Sequence, residues 1–233
     1  MKIGVMQPYF YPYLGYWQLM NHVDEYIIYD DVNYIKGGWI SRNRIKLNGA
    51  PVYFGISVKK ASPNRRIQEH EICMSDSDKE HLLMKVKLAY GKAPYFNDIY
   101  ELFKDTVSCE KTNLAEYLNN SIRRIADYLG ITTRISSASE EKLDHSKRAQ
   151  ERIIAICRLK GGTEYINAIG GKELYDRQLF HEAGIELGFL KMDEGIVYPQ
   201  GKGPFIPSLS ILDVLMYNGR DETRALLNRY SIE

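Results

Sequence analysis

Several features that would assign this 233-residue sequence to a particular class of protein are missing or scarce. Its three cysteines, Cys73, Cys109 and Cys157, are isolated and odd in number, which favours reduced thiols in a cytoplasmic protein over a disulfide framework. Lysine plus arginine total 31 and aspartate plus glutamate 30, so the formal charge of +1 creates no broad field for nucleic acid or an anionic membrane surface. Any anion must therefore bind at a local cluster of cations.

Long apolar stretches are also absent. The apolar letters IGVM at residues 3–6 are too few for a signal peptide, and no later run approaches the length of a membrane span. The G-x-S-x-G, H-E-x-x-H and Walker patterns do not occur, so these hydrolase, zinc-protease and P-loop classes lack their signatures. We expect a cytoplasmic protein with no membrane insertion and no nucleic-acid partner.

What the sequence does contain is an alternation of short apolar runs with helical patterns. Residues 2–7 and 25–29 predict two strands joined through a helix, which is a βαβ unit. Further strands are predicted at residues 52–58, 132–136, 164–168 and 185–191, and helices at 78–90, 95–103, 114–129, 146–159, 172–182 and 208–217. This pattern predicts one α/β domain over residues 1–233, with a Rossmann-like, mostly parallel sheet and helices on both faces. The consecutive helices in residues 78–130 predict a helical insertion or cap.

The stretch MQPYFYPYLGYWQLM, residues 6–20, is unusually aromatic and follows the first predicted strand. Ligands of parallel sheets bind at the carboxyl ends of the strands, and a tyrosine ring offers both an apolar face and a hydroxyl. We therefore predict that Gln7, Tyr9, Tyr13 and Tyr16 contact a ligand. A packing role for the same rings stays open, because apolar side chains mostly serve burial.

A second stretch, YDDVNYIKGGWISRNRI at residues 29–45, places carboxylates, cations, an indole and an amide close together. Arginine binds phosphate in a bidentate manner and tryptophan stacks on rings, so this mixture suits a nucleotide or a sugar phosphate. The predicted roles are phosphate binding by Lys36, Arg42 and Arg44, stacking by Trp39, hydrogen bonding by Asn43, and general base by Asp30 or Asp31. A salt-bridge network between these aspartates and arginines is the structural alternative.

A glycine-containing turn and two histidines could also take part in the chemistry. Gly170, Gly171 and Lys172 follow a predicted strand and open a predicted helix, whose free N–H groups could bind an anion, although a simple turn explains them equally well. His81 and His145 are the histidines best placed for acid–base chemistry, but a lone histidine is more often structural. No metal site is indicated beyond Mg²⁺ that would arrive with the phosphates of a nucleotide substrate.

From Tyr13, the letters YLGYWQLM resemble in spacing the H-x-G-H-x-x-L-I motif of nucleotidylyltransferases related to class I tRNA synthetases. Phe10 and Pro12 match the preceding F-x-P loop and Gly15 the glycine of the motif, but Tyr13 and Tyr16 stand in place of its histidines. A neutral phenol can donate to a phosphate but cannot match imidazolium in stabilising charge. The resemblance thus supports the architecture more than the reaction.

Near the end of the chain, Pro207 and Ser208 predict a helix start with Ser208 as N-cap. This start resembles the phosphate-contacting C-terminal motif of the same nucleotidylyltransferases, which implies that Ser208 and Ser210 face the ligand. Lys202, on a glycine-flanked loop, could then close over it. Asp213, inside the apolar helix pattern, needs a buried partner.

Four stretches together, MQPYFYPYLGYWQLM, YDDVNYIKGGWISRNRI, KAPYF and FIPSLSILDVLMYNG, resemble the WbqC family of bacterial proteins, often encoded among genes for surface polysaccharides. The resemblance implies a part in the biosynthesis of O-antigen-type sugars, as a transferase that moves an acyl or aminoacyl group onto a nucleotide-linked amino sugar. The alternatives left open are nucleotidyl transfer from a nucleoside triphosphate and a non-catalytic sugar-nucleotide binding protein. A homo-oligomer is compatible with the sequence.

Overall fold

The structure, a computed structural model, describes residues 1–141, 147 and 149–233. The strands and α-helices of this part of the chain are β1 (Lys2–Met6), α1 (Leu14–His22), β2 (Glu25–Ile28), β3 (Arg42–Leu47), β4 (Ala50–Gly55), α2 (Asp76–Tyr90), α3 (Phe96–Val107), α4 (Leu114–Leu129), β5 (Arg134–Ser137), α5 (Ala149–Lys160), β6 (Glu164–Ala168), α6 (Arg177–Glu182), β7 (Glu186–Met192), α7 (Ile211–Leu226) and β8 (Tyr230–Ile232). None of the described helices combines the length and apolar character needed to cross a membrane.

Six strands form the main sheet, in the order β5-β2-β1-β6-β7-β8. The first five strands are parallel to one another, and β8 pairs antiparallel with β7 at one edge. Counted along the chain, this order is 3-2-1-4-5-6, which is the strand order of Rossmann-type sheets. The predicted α/β class is confirmed.

Side chains that alternate along the central strands build a separate core on each face of the sheet. Ile3 and Val5 of β1 pack with α5 and α6, whose contributions include Ile156 and Phe180. The opposite face, which includes Tyr26 of β2, packs with α1, α4 and α7. Helices therefore cover both faces, as the sequence pattern predicts.

The connection from β2 to its parallel neighbour β5 is long and carries two additional units. The strands β3 and β4 form an antiparallel hairpin outside the main sheet, and α2, α3 and α4 follow it. The predicted strand at residues 52–58 thus belongs to a hairpin, and its partner β3 was not predicted. The helices coincide with the predicted insertion at residues 78–130, whose role as a cap stays a prediction.

Two predicted helices differ from the observed ones. Residues 172–182 do not form one α-helix, since a 3-10 helix at Ile169–Leu174 precedes the short α6. The last helix begins at Ile211, not at Ser208, and kinks at Gly219, where φ is 66°. The Tyr95 ring packs against this kink, so a side chain at residue 219 would collide with it and would also be strained by the positive φ.

Candidate functional site

A cavity of about 420 Å³, called the edge cavity below, opens at the carboxyl edge of the main sheet. The strand order reverses between β1 and β6, so the loops after these two strands diverge and leave a crevice. Ligands of open α/β sheets bind at such a switch point. The edge cavity is lined by Tyr9, Pro12, Tyr13, Gly15, Trp39, Asn43, Arg44, Ile169, Gly170, Leu190, Lys191, Met192, Glu194 and Ser208.

Side chains from other segments form hydrogen bonds to the backbone of the turn after β1. Asn43 donates to the carbonyl oxygens of Phe10 and Tyr11 at 3.2 and 2.9 Å, and Ser210 donates to that of Tyr11 at 2.7 Å. Trp17 donates through Nε1 to the carbonyl of Pro12 at 3.1 Å. These bonds satisfy the carbonyl groups of residues 10–12, which water cannot reach well in this buried turn.

Tyr11 takes the left-handed conformation in this turn, with φ of 47°, which is rare for a bulky aromatic residue. Its ring is buried against Phe103, and its hydroxyl lies 2.5 Å from Thr106 Oγ1. Packing of the ring against α3 therefore stabilises a backbone conformation that would otherwise be unfavourable.

The aromatic side chains of the turn divide between the core and the edge cavity. Tyr9 and Tyr13 line the cavity, whereas Tyr16 is completely buried and donates to the Gln7 carbonyl at 3.2 Å. The side chain of Gln7 is not among the lining groups. Burial raises the pKa of Tyr9 and of Tyr13, so both hydroxyls stay neutral and can donate hydrogen bonds to a ligand.

Gly15 leaves room for the Tyr13 ring to pack against the first turn of α1. A Cβ atom at residue 15 would lie 2.5 Å from Cε2 of Tyr13, well inside the van der Waals limit. The glycine therefore allows this ring to lie along the cavity wall, which gives the glycine of the YLGY motif a structural reason.

The strand β3 brings an arginine and an amide to the opposite wall. Arg44 lines the edge cavity, and its guanidinium lies 5.5 Å from the centroid of the Trp39 ring, which lines it too. Arg42, two residues earlier, stacks instead on Tyr53 at 4.2 Å and donates to the Gly37 carbonyl. The structure therefore places Arg44, but not Arg42, in the cavity.

Two charged cavity residues were missed by sequence reasoning. Lys191 lies at the end of β7 and Glu194 just after it, and Nζ of Lys191 is 3.7 Å from Oε1 of Glu194. The carboxyl end of a predicted parallel strand was the available signal, because β7 ends at the same edge as β1. With Arg44, they give the cavity two cations and one carboxylate.

A second, mostly apolar chamber of about 310 Å³, called the apolar chamber below, adjoins the edge cavity. The two share Tyr13, Met192, Glu194 and Ser208, and the apolar chamber adds groups such as Leu14, Ile196, Phe205 and Leu209. Ser208 is exposed at this boundary, with φ of 55°. The N-cap of α7 is Ser210, whose buried Oγ accepts from the Leu212 N–H, so the prediction that Ser208 is the N-cap is wrong.

The far wall of the apolar chamber is tied to a buried carboxylate. Asp213 accepts hydrogen bonds from Tyr90 at 2.7 Å, Tyr198 at 2.8 Å and Gln200 at 2.7 Å. Gln200 also binds both the N–H and the carbonyl of Ile206. The partners that the sequence required for Asp213 are thus present, and they anchor the loop between β7 and α7.

We expect Asp213→Asn to destabilise the protein, and more so at acid pH than at neutral pH. Burial raises the pKa of Asp213 above its ordinary value of 3.8, so the folded state binds a proton more readily than the unfolded state. The stabilisation from this proton is complete below the pKa that Asp213 has in the unfolded state. It is lost as pH rises through the higher pKa that Asp213 has in the folded state. Asparagine also turns an N–H₂ group toward hydrogen-bond donors, at a cost of about 1–3 kcal/mol.

Urea denaturation of wild type and Asp213→Asn at pH 4, 5.5 and 7 measures this difference, because other titrating groups contribute equally to both proteins. A destabilisation that grows as pH rises would contradict the assignment.

Of the predicted catalytic residues, Asp30, Asp31 and His81 do not line the edge cavity. Asp30 is buried and accepts from the N–H and hydroxyl of Ser139 at 2.9 and 2.8 Å, and burial raises its pKa. Asp31 forms a buried ion pair with Arg152. The alternative of a network with Arg42 and Arg44 is not observed, since those arginines contact aromatic rings. His81 is exposed on α2, and the prediction for His145 lies outside the described residues.

The remaining predicted binding residues are scattered. Gly170 lines the cavity, but Gly171 packs near Asn167 and Lys172 pairs with Glu233 at 2.9 Å. The predicted α-helix is here a 3-10 helix at Ile169–Leu174, and anion binding at its start stays a prediction. The other positions outside the edge cavity are Lys36, which is exposed, Ser210, which is buried, and Lys202, which lines a different cavity.

Within residues 1–141, 147 and 149–233, no group of three or more His, Cys, Asp or Glu side chains is placed to hold a metal ion.

The fold and cavity define an α/β protein with Rossmann-type strand order and a two-chambered pocket at its switch point. The family model described as the WbqC-like protein family matches residues 7–225, and the chain belongs to this family. It is similar to the uncharacterized protein Rv1507c of Mycobacterium tuberculosis, with 31% identity over 222 residues that cover 94% of this chain and 95% of the relative. No solved structure matches the chain significantly.

Proposed function

We propose that this chain is an enzyme of bacterial surface-polysaccharide biosynthesis that transfers an acyl or aminoacyl group to a nucleotide-linked amino sugar. Membership of the WbqC-like family is the basis for the pathway. The observation that carries the binding role is the convergence of Arg44, Trp39 and Tyr13 in one cavity at the switch point of the sheet. Such cavities, mostly apolar with a few converging polar groups, are typical small-molecule sites.

The edge cavity supplies the groups that a sugar nucleotide needs. Arg44 and Lys191 contact the phosphates in this proposal, Arg44 through the planar fork that matches phosphate oxygens. Trp39 and Tyr13 pack against the base or sugar ring, and their neighbour Tyr9 donates to a hydroxyl. The volume of about 420 Å³ falls in the range of small-molecule sites.

The apolar chamber takes the acyl group of the donor. Its boundary with the edge cavity, at Tyr13, Glu194 and Ser208, is then the place where the sugar amine meets the donor carbonyl. A new nitrogen–carbon bond forms, the bond from the carbonyl to the leaving group of the donor breaks, and the amine proton passes to a base. Glu194 takes this role in the proposal because it lines both chambers.

Binding of UDP-N-acetylglucosamine and UDP-glucosamine, measured by calorimetry with ATP as comparison, tests the proposal. We expect binding that weakens about tenfold in Trp39→Ala, because base or sugar stacking on an aromatic ring contributes about 1–3 kcal/mol. Tyr53→Ala is the matched control, since Tyr53 is an exposed aromatic residue like Trp39 but lies outside the cavity lining. Absence of binding at millimolar sugar nucleotide, or equal losses in both variants, would contradict the proposal.

A second candidate is nucleotidyl transfer, favoured by the position of Tyr13 in the edge cavity at the start of α1. It predicts pyrophosphate release from a nucleoside triphosphate. The buried Tyr16 offers such a reaction no group, which is why we place it second. A non-catalytic binding protein would bind the sugar nucleotide without turnover of any donor.

A further inference from the structure

A cavity of about 710 Å³ lies apart from both chambers of the candidate site and is called the lysine cavity here. The turn of the β3–β4 hairpin, the carboxyl end of α2 and the loop at residues 200–203 form its walls. Lys46, Lys92 and Lys202 line it, and no carboxylate is among its lining groups. Three cations thus face one space without an acid between them.

The three lysines lack the ion pairs that would explain their clustering. Lys46 is only 5% exposed, and its Nζ donates one hydrogen bond to the Pro204 carbonyl at 2.8 Å. Lys92 and Lys202 are exposed. In the described part of the chain, none of the three lies within salt-bridge distance of a carboxylate.

Asp213 is a buried carboxylate that interacts electrostatically with Lys46, although burial keeps its pKa raised, and it is not among the groups that line the cavity. The oxygens of Asp213 already accept from Tyr90, Tyr198 and Gln200. A buried ammonium group is costly unless it is paired, and neighbouring like charges add repulsion. An anion bound among the lysines would relieve both effects.

We propose that the lysine cavity binds the diphosphate group of a ligand. A diphosphate carries enough negative charge to contact all three ammonium groups, and lysine is a common point-charge partner of phosphate. The lining also contains Tyr217 and the exposed Leu88, which give the non-phosphate part of a ligand an apolar surface.

This site shares a structural element with the two-chambered pocket. The loop that carries Lys202 is anchored through Gln200 to Asp213 and Ile206, and the next residues, Phe205 and Pro207, wall the apolar chamber. A diphosphate in the lysine cavity therefore fixes one wall of that chamber. The proposal does not depend on which reaction the pocket performs.

Calorimetric titration with inorganic pyrophosphate at constant ionic strength tests the site. We expect wild type to bind pyrophosphate and Lys92→Gln/Lys202→Gln to bind it at least tenfold more weakly. Lys59→Gln/Lys111→Gln removes the same charge from exposed lysines elsewhere and should change the affinity less than twofold. Arg44→Gln is titrated as well, to show whether pyrophosphate binds in the edge cavity.

No binding by wild type, or equal weakening in the two lysine pairs, would overturn the proposal. A loss confined to Arg44→Gln would overturn it as well, because pyrophosphate would then occupy the edge cavity. Two further titrations identify the source of the diphosphate: UDP for a soluble nucleotide, and phosphatidylcholine vesicles carrying a polyprenyl diphosphate for a lipid carrier. Binding of either that depends on Lys92 and Lys202 supports the site.

Discussion

Replacement of Arg44 by glutamine is expected to weaken the binding of UDP-N-acetylglucosamine by about 30- to 150-fold. Arg44 is the guanidinium that the structure places in the edge cavity, beside the Trp39 ring. A hydrogen bond from a charged group to a phosphate contributes roughly 2–3 kcal/mol, which corresponds to this change in Kd. Glutamine keeps a polar side chain but is shorter, so the variant removes the charge and the planar fork together.

Arg42→Gln is the matched control for this experiment. Arg42 lies on the same strand, only two residues away, but its guanidinium stacks on Tyr53 outside the cavity lining. Calorimetry should show that Arg42→Gln weakens the binding of UDP-N-acetylglucosamine less than threefold. If both arginine variants weaken binding equally, the effect comes from the general charge of the hairpin and not from a contact in the cavity.

Asn43→Asp is expected to lower the free energy of unfolding by about 2–4 kcal/mol, although the two side chains have nearly the same shape. Asn43 is buried and donates to the carbonyl oxygens of Phe10 and Tyr11. An ionised aspartate cannot donate, so the Phe10 carbonyl loses this partner, the Tyr11 carbonyl keeps the bond from Ser210, and both face a negative charge. The turn after β1 should then loosen, and binding of UDP-N-acetylglucosamine should weaken with it.

Urea denaturation at pH 7 measures the stability change, with Asn97→Ala as control on the exposed surface of α3. The control should change stability by less than about 0.5 kcal/mol. Asn43→Ala should resemble Asn43→Asp in direction, because it also removes the donor. A fully stable Asn43→Asp protein would show that the turn holds its shape without these bonds.

The sequence predicted the main sheet well because its strands carry their own local signal. The strand at residues 164–168 and the helix at residues 114–129 were predicted with the observed bounds, since apolar periodicity and a closing glycine mark them. The strand β3 was missed because arginine, asparagine and lysine occupy four of its six positions. Its burial against the turn after β1 is a tertiary effect that no local pattern reports.

The candidate site was partly predictable for the same reason. Seven of the predicted binding residues line the edge cavity, and their roles in binding stay predictions: Tyr9, Tyr13, Trp39, Asn43, Arg44, Gly170 and Ser208. The sequence could not separate Arg44 from Arg42 or Tyr13 from Tyr16, because one residue of each pair turns away from the cavity through packing. Lys202 lines the separate lysine cavity, because the direction of its glycine-flanked loop depends on the anchors of that loop, here Gln200 and Asp213.

The hydrogen bond from Ser210 to the Tyr11 carbonyl joins residues that are 199 positions apart in the sequence. The hydrogen bond from Asn43 to the same carbonyl joins residues that are 32 positions apart. Contacts between segments so distant along the chain form only after much of the molecule has condensed, because loop closure costs entropy before such contacts repay it. The pocket is therefore a late product of folding. A nascent chain whose α7 residues have not yet left the ribosome has no finished pocket. The ligand of the protein therefore cannot stabilise it.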